Sequence, residues 1–187
     1  MKEMDVELKM GCRVHNRMLL VEYSLQNRGN RALLAYDGAA GVPPDADYPS
    51  LDGQIYISVV DDTVDLKRIN PPPLPGLNMN RVFIPPVSQV LPGTSRKARF
   101  CLRLPLVERS QYTPDFSGAQ YQERVARTVQ LWIGYFWRTE SMQLQPFSAN
   151  PDAFRVLGAH GQQRFASAGR SQEVDVKVRV DEVFQRV

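Results

Sequence analysis

The fold is decided by residues 4–34, which read MDVELKMGCRVHNRMLLVEYSLQNRGNRALL. Apolar side chains alternate with polar or charged ones through residues 6–14 and again through residues 19–25. A period of two places the apolar side chains of a strand on one face. Residues 15–17 interrupt the alternation, and residues 27–30, Asn-Arg-Gly-Asn, have the composition of a turn. One apolar face has to be covered by a second sheet, so this hairpin predicts a β-sandwich or a barrel.

The rest of the chain continues as short strands separated by turns. Strands are predicted at residues 32–36, 54–60, 63–69, 95–104, 128–138 and 173–181. Residues 128–138 are apolar on both faces, so this strand should be buried, with Ile133 between sheets. Residues 150–157 are predicted to form a short helix, because Asn-Pro-Asp is a typical helix start and Gly158 a typical stop. The sequence thus predicts one all-β domain over residues 1–187, an antiparallel sandwich of about seven to ten strands with long loops and at most one short helix.

Composition narrows the class of protein. The chain has 187 residues, of which 43% are hydrophobic and 23% charged, as in ordinary globular proteins. The net charge is +3 with the charges interspersed, so we expect no nucleic-acid partner. No apolar run reaches the roughly 20 residues of a membrane span, and the charged start is not a secretory signal. We expect a cytoplasmic protein if the chain is complete, and a periplasmic one if a signal peptide has been removed; the oligomeric state stays open.

The two cysteines are predicted not to pair. Alternation places Cys12 on the apolar face of its strand, and places Cys101 on the face that carries Lys97, Arg99 and Arg103. Side chains that point to opposite sides of a sheet cannot meet the geometry of a disulfide. We therefore expect Cys12 to be buried and reduced, and Cys101 to be the more accessible thiol.

Candidate metal and catalytic residues are few. His15 and His160 are the only histidines, and neither has ligand spacing to a Cys or carboxylate, nor a nucleophile elbow. Both are expected at the surface. One loop contains four aspartates that could supply oxygen ligands to calcium: Asp37, Asp45, Asp47 and Asp52. Their spacing does not match a calcium loop and aspartate favours turns, so we expect turn residues and neither a metal nor another cofactor.

Two further stretches have a functional and a structural interpretation. Residues 70–76, Asn-Pro-Pro-Pro-Leu-Pro-Gly, could be a ligand for an aromatic groove, but a stiff crossover between sheets is favoured. Residues 96–103 carry a basic stripe made of Lys97, Arg99 and Arg103, with Arg96 beside its start. A nucleic-acid platform would interleave exposed aromatics with the stripe, and Phe100 lies on the opposite face. A solvated strand face is therefore expected.

Two connections are long enough to suggest binding. Residues 37–53 and 105–127 exceed the roughly two to five residues of a hairpin loop, and long connections are often functional. They hold four aromatic residues that we predict to form the binding surface, rather than the strand faces: Tyr48, Tyr112, Phe116 and Tyr121. Such side chains supply contact area at small entropic cost. The alternative is that the loops fold back and plug the ends of the sandwich.

Two motifs carry a resemblance to a known class of proteins. Residues 20–30, LVEYSLQNRGN, and residues 90–94, VLPGT, resemble the corresponding turns of bacterial immunoglobulin-like sandwiches, of which the intracellular proteinase inhibitor family is one example. The resemblance implies an immunoglobulin-like β-sandwich and, more weakly, proteinase inhibition. The function we expect is that of a non-catalytic binding or accessory module acting through protein–protein contacts. One alternative is an inhibitor-like protein. The other is a carbohydrate-active enzyme, which would need two carboxylates facing each other across a cleft, and the sequence indicates no such pair.

Overall fold

The structure is a computed structural model. It describes residues 5–38, 48–51, 54–70, 85–109, 120–148, 150–157 and 162–180. The protein is all-β in these residues. These residues form twelve strands and no helix. The first six are β1 (Val6–His15), β2 (Met18–Asn27), β3 (Leu33–Ala35), β4 (Tyr56–Val60), β5 (Thr63–Arg68) and β6 (Ser88–Val90). The others are β7 (Ser95–Arg103), β8 (Leu106–Val107), β9 (Tyr121–Trp137), β10 (Gln143–Phe147), β11 (Asn150–Leu157) and β12 (Arg164–Arg179). No helix in the described residues is long and apolar enough to span a membrane.

The opening hairpin is confirmed and belongs to a three-stranded antiparallel sheet, in the order β1-β2-β7. Asn16 and Arg17 form its two-residue turn with φ of 49° and 60°. Positive φ at both central residues is the geometry whose twist matches that of paired strands. Leu8, Met10 and Val21 are buried on its inward face, as the alternation predicts.

The larger sheet has seven strands and is mixed. Its order is β4-β5-β9-β12-β8, and β3 joins β9 to β6. The β5–β9 and β8–β12 pairs are parallel, so the prediction of a purely antiparallel fold is wrong for these two pairs. Parallel neighbours require a crossover connection, and residue alternation carries no information about the direction in which a distant strand runs.

The two sheets share one hydrophobic core. Phe100 from the smaller sheet and Leu66, Leu131 and Ile133 from the larger one are all fully buried in it. The predicted burial of Ile133 is confirmed. On the opposite face of the larger sheet a second cluster contains Leu34, Tyr36, Val87, Phe136, Met142 and Val156. The hairpin β10–β11 contributes to this cluster, so both faces of β9 are covered at this end.

Two element predictions are wrong. Residues 150–157, predicted as a helix, are the strand β11 that pairs with β10. Residues 105–127, predicted as one long connection, contain β8 and the first seven residues of β9. Residues 121–127 read YQERVAR and are mostly exposed, so they offer no alternation to recognise. Pairing with β12 organises them instead.

The cysteine prediction is right about the faces and wrong about accessibility. Cys12 and Cys101 are both reduced thiols. Cys12 pairs with Val21 of β2, and Cys101 pairs with Leu20 of β2. Because Leu20 and Val21 are adjacent in the strand, the two cysteine side chains point to opposite faces of the sheet. However, Cys101 is only 8% exposed, whereas Cys12 is half-buried. Residues 48–51 cover Cys101, whose amide donates to the Pro49 carbonyl oxygen at 3.0 Å. Its thiol sulfur lies 3.3 Å from the carbonyl oxygen that residue 48 offers as an acceptor. Local alternation cannot reveal a covering segment 50 residues away.

A buried ionic network ties the two sheets together. The side chain of Asp37 is fully buried and accepts hydrogen bonds from the hydroxyl of Tyr23 at 2.8 Å, Nε of Arg96 at 3.0 Å and the hydroxyl of Ser88. Arg68 donates to the Tyr23 hydroxyl at 3.0 Å and to the Asp37 carbonyl at 2.6 Å. Burial alone would raise the pKa of Asp37, but the two guanidinium groups and the hydroxyl donors hold it below its usual value. The two guanidinium groups therefore balance the negative charge of the buried carboxylate, and its role is structural.

Candidate functional site

The outward face of the three-stranded sheet carries two rows of cations, and we call it the basic face. Lys9 and Arg13 lie on β1, and Lys97, Arg99 and Arg103 lie on β7. They share one face because each is an even number of residues from its row neighbours. The middle strand β2 separates the rows, so their backbones are about 10 Å apart.

An open depression of about 570 Å³ lies between these rows. Two cross-strand rows line it: Lys9, Ser24 and Lys97 form one, and Gly11, Glu22 and Arg99 form the other. Gly11 helps to create the space, since a Cβ at this position would meet no atom within 4 Å. We call this feature the basic depression.

Tyr48 is held against the basic face by one residue from each strand. Its hydroxyl donates a hydrogen bond to Glu22, its ring centroid lies 5.5 Å from the Arg99 guanidinium, and Arg13 hydrogen-bonds to the phenol. The hydrogen bond to Glu22 raises the pKa of Tyr48. Because Glu22 and Arg99 also line the basic depression, Tyr48 stands at its border.

The charges of this surface do not cancel. Glu7 on β1 is paired with Arg28 and lies 3.5 Å from Lys9, whereas Glu22 accepts a hydrogen bond from the neutral Tyr48 hydroxyl and keeps its negative charge. These two glutamates share the face with five cations: Lys9, Arg13, Lys97, Arg99 and Arg103. The Lys9 side chain is nevertheless 69% exposed. Lys97 has no ion pair among the described contacts. A surplus of positive charge at an open concavity attracts anionic groups.

Of the four predicted binding residues, the structure describes Tyr48 and Tyr121, and these two lie in different parts of the fold. Tyr48 reaches the basic face. Tyr121 begins β9 in the larger sheet, where it pairs with Arg179 and is half-buried, so it does not lie in a loop. Tyr112 and Phe116 lie outside the described residues. The binding role of these four aromatic residues therefore stays a prediction, and the part of it that placed Tyr121 in a loop is wrong.

A second concavity lies on the outward face of the larger sheet. It measures about 260 Å³ and is lined by Asp65, Lys67, Ile69, Trp132 and Phe165. Its polar groups satisfy one another: the Trp132 indole donates to Asp65 at 3.0 Å, and the Lys67 ammonium lies 3.4 Å from the same carboxylate. It offers a ligand fewer unsatisfied groups than the basic depression.

The remaining sequence candidates yield no second site. His15 ends β1 and is exposed, as expected, and His160 lies outside the described residues. Asp37 belongs to the buried network, and the other three aspartates of its loop lie outside the described residues, as do residues 71–76. Within the described ranges no three His, Cys, Asp or Glu side chains are grouped so that they could hold a metal ion.

Sequence reasoning found the basic stripe of β7 but missed its partner row. Lys9, Gly11 and Glu22 are on one face by the same alternation, so the signal was present. Aligning them with Lys97 and Arg99 requires the register of β1, β2 and β7, and placing an aromatic residue beside them requires the path of residues 48–51.

Comparison with protein-family models, curated proteins and solved structures finds no match for this chain.

Proposed function

We propose that this chain is a non-catalytic binding or accessory module that captures a protein partner on the basic face. The observation that carries the proposal is the open depression of about 570 Å³ bordered by Tyr48 and flanked by two rows of cations. Tyrosine and arginine are enriched where proteins recognise one another. A shallow concavity on regular strands suits surface contact better than the enclosure of a small substrate.

We further propose that the fold is immunoglobulin-like. Support comes from the two stretches that carry the resemblance, since they contact each other. The Asn27 amide donates to the Thr94 carbonyl at 3.0 Å, the Gly93 amide donates to the Asn27 carbonyl at 2.9 Å, and the Asn27 side chain donates to the Val90 carbonyl at 3.0 Å. Gly93 has a φ of 71°, which glycine adopts without strain.

The test fills the depression without disturbing the fold. Gly11→Trp places a large side chain where there is open space. Gly169→Trp is the matched control, because Gly169 is exposed in the larger sheet and its nearest neighbour would be 3.9 Å from a Cβ. Both variants should keep the wild-type circular dichroism spectrum and unfolding midpoint.

The readout is affinity capture from an extract of the native host, with wild-type protein and both variants as baits. We expect proteins that the wild type and Gly169→Trp enrich to be lost with Gly11→Trp. Equal capture by all three baits, with all three folded, would rule out the basic depression as the binding surface.

A further inference from the structure

We infer that the basic depression takes an extended acidic segment of a partner protein, lying along β2 between the two cationic rows. This inference rests on the proposed function and names the chemistry of the partner. The argument uses the charge balance of the site, the dimensions of the face and the position of Glu22.

The charge balance selects an anionic partner. Lys9 and Lys97 stand at opposite ends of one cross-strand row, with only the hydroxyl of Ser24 between them. Of the two glutamates that the structure describes on this face, Glu7 is paired with Arg28, and Glu22 accepts a hydrogen bond from the neutral Tyr48 hydroxyl and keeps its charge, so the cations are in excess. A carboxylate that enters between the two lysines meets positive charge from both sides, which favours association at low ionic strength.

The dimensions select an extended segment. β1 has ten residues, and ten residues of strand span about 33 Å. Three strands are about 15 Å wide, so the whole face measures about 500 Å², and Tyr48 already covers part of it beside Arg99 and Cys101. The remaining area is less than the roughly 800 Å² that each partner contributes to a standard interface. Side chains on one face of an extended peptide recur every 6.8 Å or so, which is also the spacing of Lys97 and Arg99 along β7. One extended chain therefore fits in the basic depression, with its side chains in register with Lys97 and Arg99 of β7.

Glu22 disfavours a nucleic acid. It lies on the middle strand, between Gly11 and Arg99, so its carboxylate faces whatever occupies the centre of the depression. A phosphate backbone carries charge at every unit and cannot avoid it, whereas a peptide can place a neutral side chain there. The Tyr48 ring is already packed against Arg99 and bound to Glu22, which reduces its value as a stacking platform for bases.

The experiment measures fluorescence anisotropy with a labelled twelve-residue peptide of alternating Glu and Ser. The comparison ligands are the same peptide with Gln in place of Glu, and a single-stranded oligothymidine of equal charge. The protein variants are Lys9→Glu and Lys97→Glu, with Lys9→Gln and Lys97→Gln as milder versions. Arg124→Glu is the control, because it makes the same change in net charge at an exposed position of β9.

We expect the acidic peptide to bind the wild type and the Gln peptide to bind at least tenfold more weakly. Each Lys→Glu variant should lose at least tenfold in affinity, each Lys→Gln variant a smaller amount, and Arg124→Glu less than twofold. Raising the salt from 50 to 200 mM should weaken the wild-type complex.

Three outcomes would overturn the inference. They are no detectable peptide binding, peptide binding that Arg124→Glu weakens as much as Lys97→Glu does, and tighter binding of the oligothymidine than of the peptide. The first two would still leave the proposed function intact if Gly11→Trp abolished capture of a protein from host extract while Gly169→Trp did not. If the peptide does not bind and Gly11→Trp captures the same proteins as Gly169→Trp, the basic face is not the binding surface.

Discussion

Replacing Asp37 with alanine should cost the protein a large part of its stability. The substitution removes the acceptor of three side-chain hydrogen bonds, from Tyr23, Ser88 and Arg96. It also leaves the Arg68 and Arg96 cations without the carboxylate that compensates them. Removing one partner of a buried ion pair costs about 3–5 kcal/mol. Because the Arg96 side chain is still 25% exposed, water screens part of the loss, and we expect about 3 kcal/mol.

Urea unfolding followed by circular dichroism measures this change. We expect the midpoint to fall while the slope stays constant, which indicates lost stability without a change in the unfolded state. Glu123→Ala is the matched control, since the Glu123 carboxylate pairs with Lys177 at 3.3 Å on the surface and is 77% exposed. Its removal should cost less than about 1 kcal/mol. If Asp37→Ala costs no more than Glu123→Ala, the network does not hold the sheets together.

Three other predictions concern the same core and the cysteines. Because the folded-state pKa of Asp37 lies below its unfolded value of about 3.9, its stabilisation is complete above that value. It is lost as the pH falls through the folded-state pKa, so acid titration should destabilise wild type more steeply than Asp37→Ala. Ile133→Ala should cost about 2–5 kcal/mol in urea unfolding, and a change under about 0.5 kcal/mol would contradict its place in the core. A thiol reagent should modify native Cys12 before Cys101, as peptide mapping by mass spectrometry would show, because residues 48–51 cover Cys101.

The elements that sequence predicted well are those whose pattern is local. The β1–β2 hairpin has two regular alternations joined by a two-residue turn, and nothing outside it is needed to recognise it. The helix prediction for residues 150–157 failed because it used only the end signals, Asn-Pro-Asp and Gly158, and the buried residues Ala153 and Val156 are three apart, so no alternation indicates a strand there. The strand tolerates that spacing because its pairing with β10 shifts register between Pro146 and Phe147. Such irregularity is set by the partner strand.

The candidate site was predictable in its parts and not as a whole. The cations of β7 were recognised from alternation, and Tyr48 was selected as a binding residue because it lies in a long connection. Their contact depends on residues 48–51 packing along β7. That packing uses hydrogen bonds between residues that are about 50 positions apart in the sequence, such as Pro49 and Cys101. The buried role of Asp37 was missed for the same reason, since its partners come from β2, β6 and β7.

The most direct test of the binding surface is an NMR titration of ¹⁵N-labelled protein with the acidic peptide. The Gly11 backbone amide reports on the basic depression, and the Trp132 indole N–H reports on the second concavity. We predict that the Gly11 and Lys97 amide signals shift in proportion to bound peptide while the Trp132 indole signal stays in place. A shift of the Trp132 indole with Gly11 unchanged would contradict the assignment of the basic face as the binding surface.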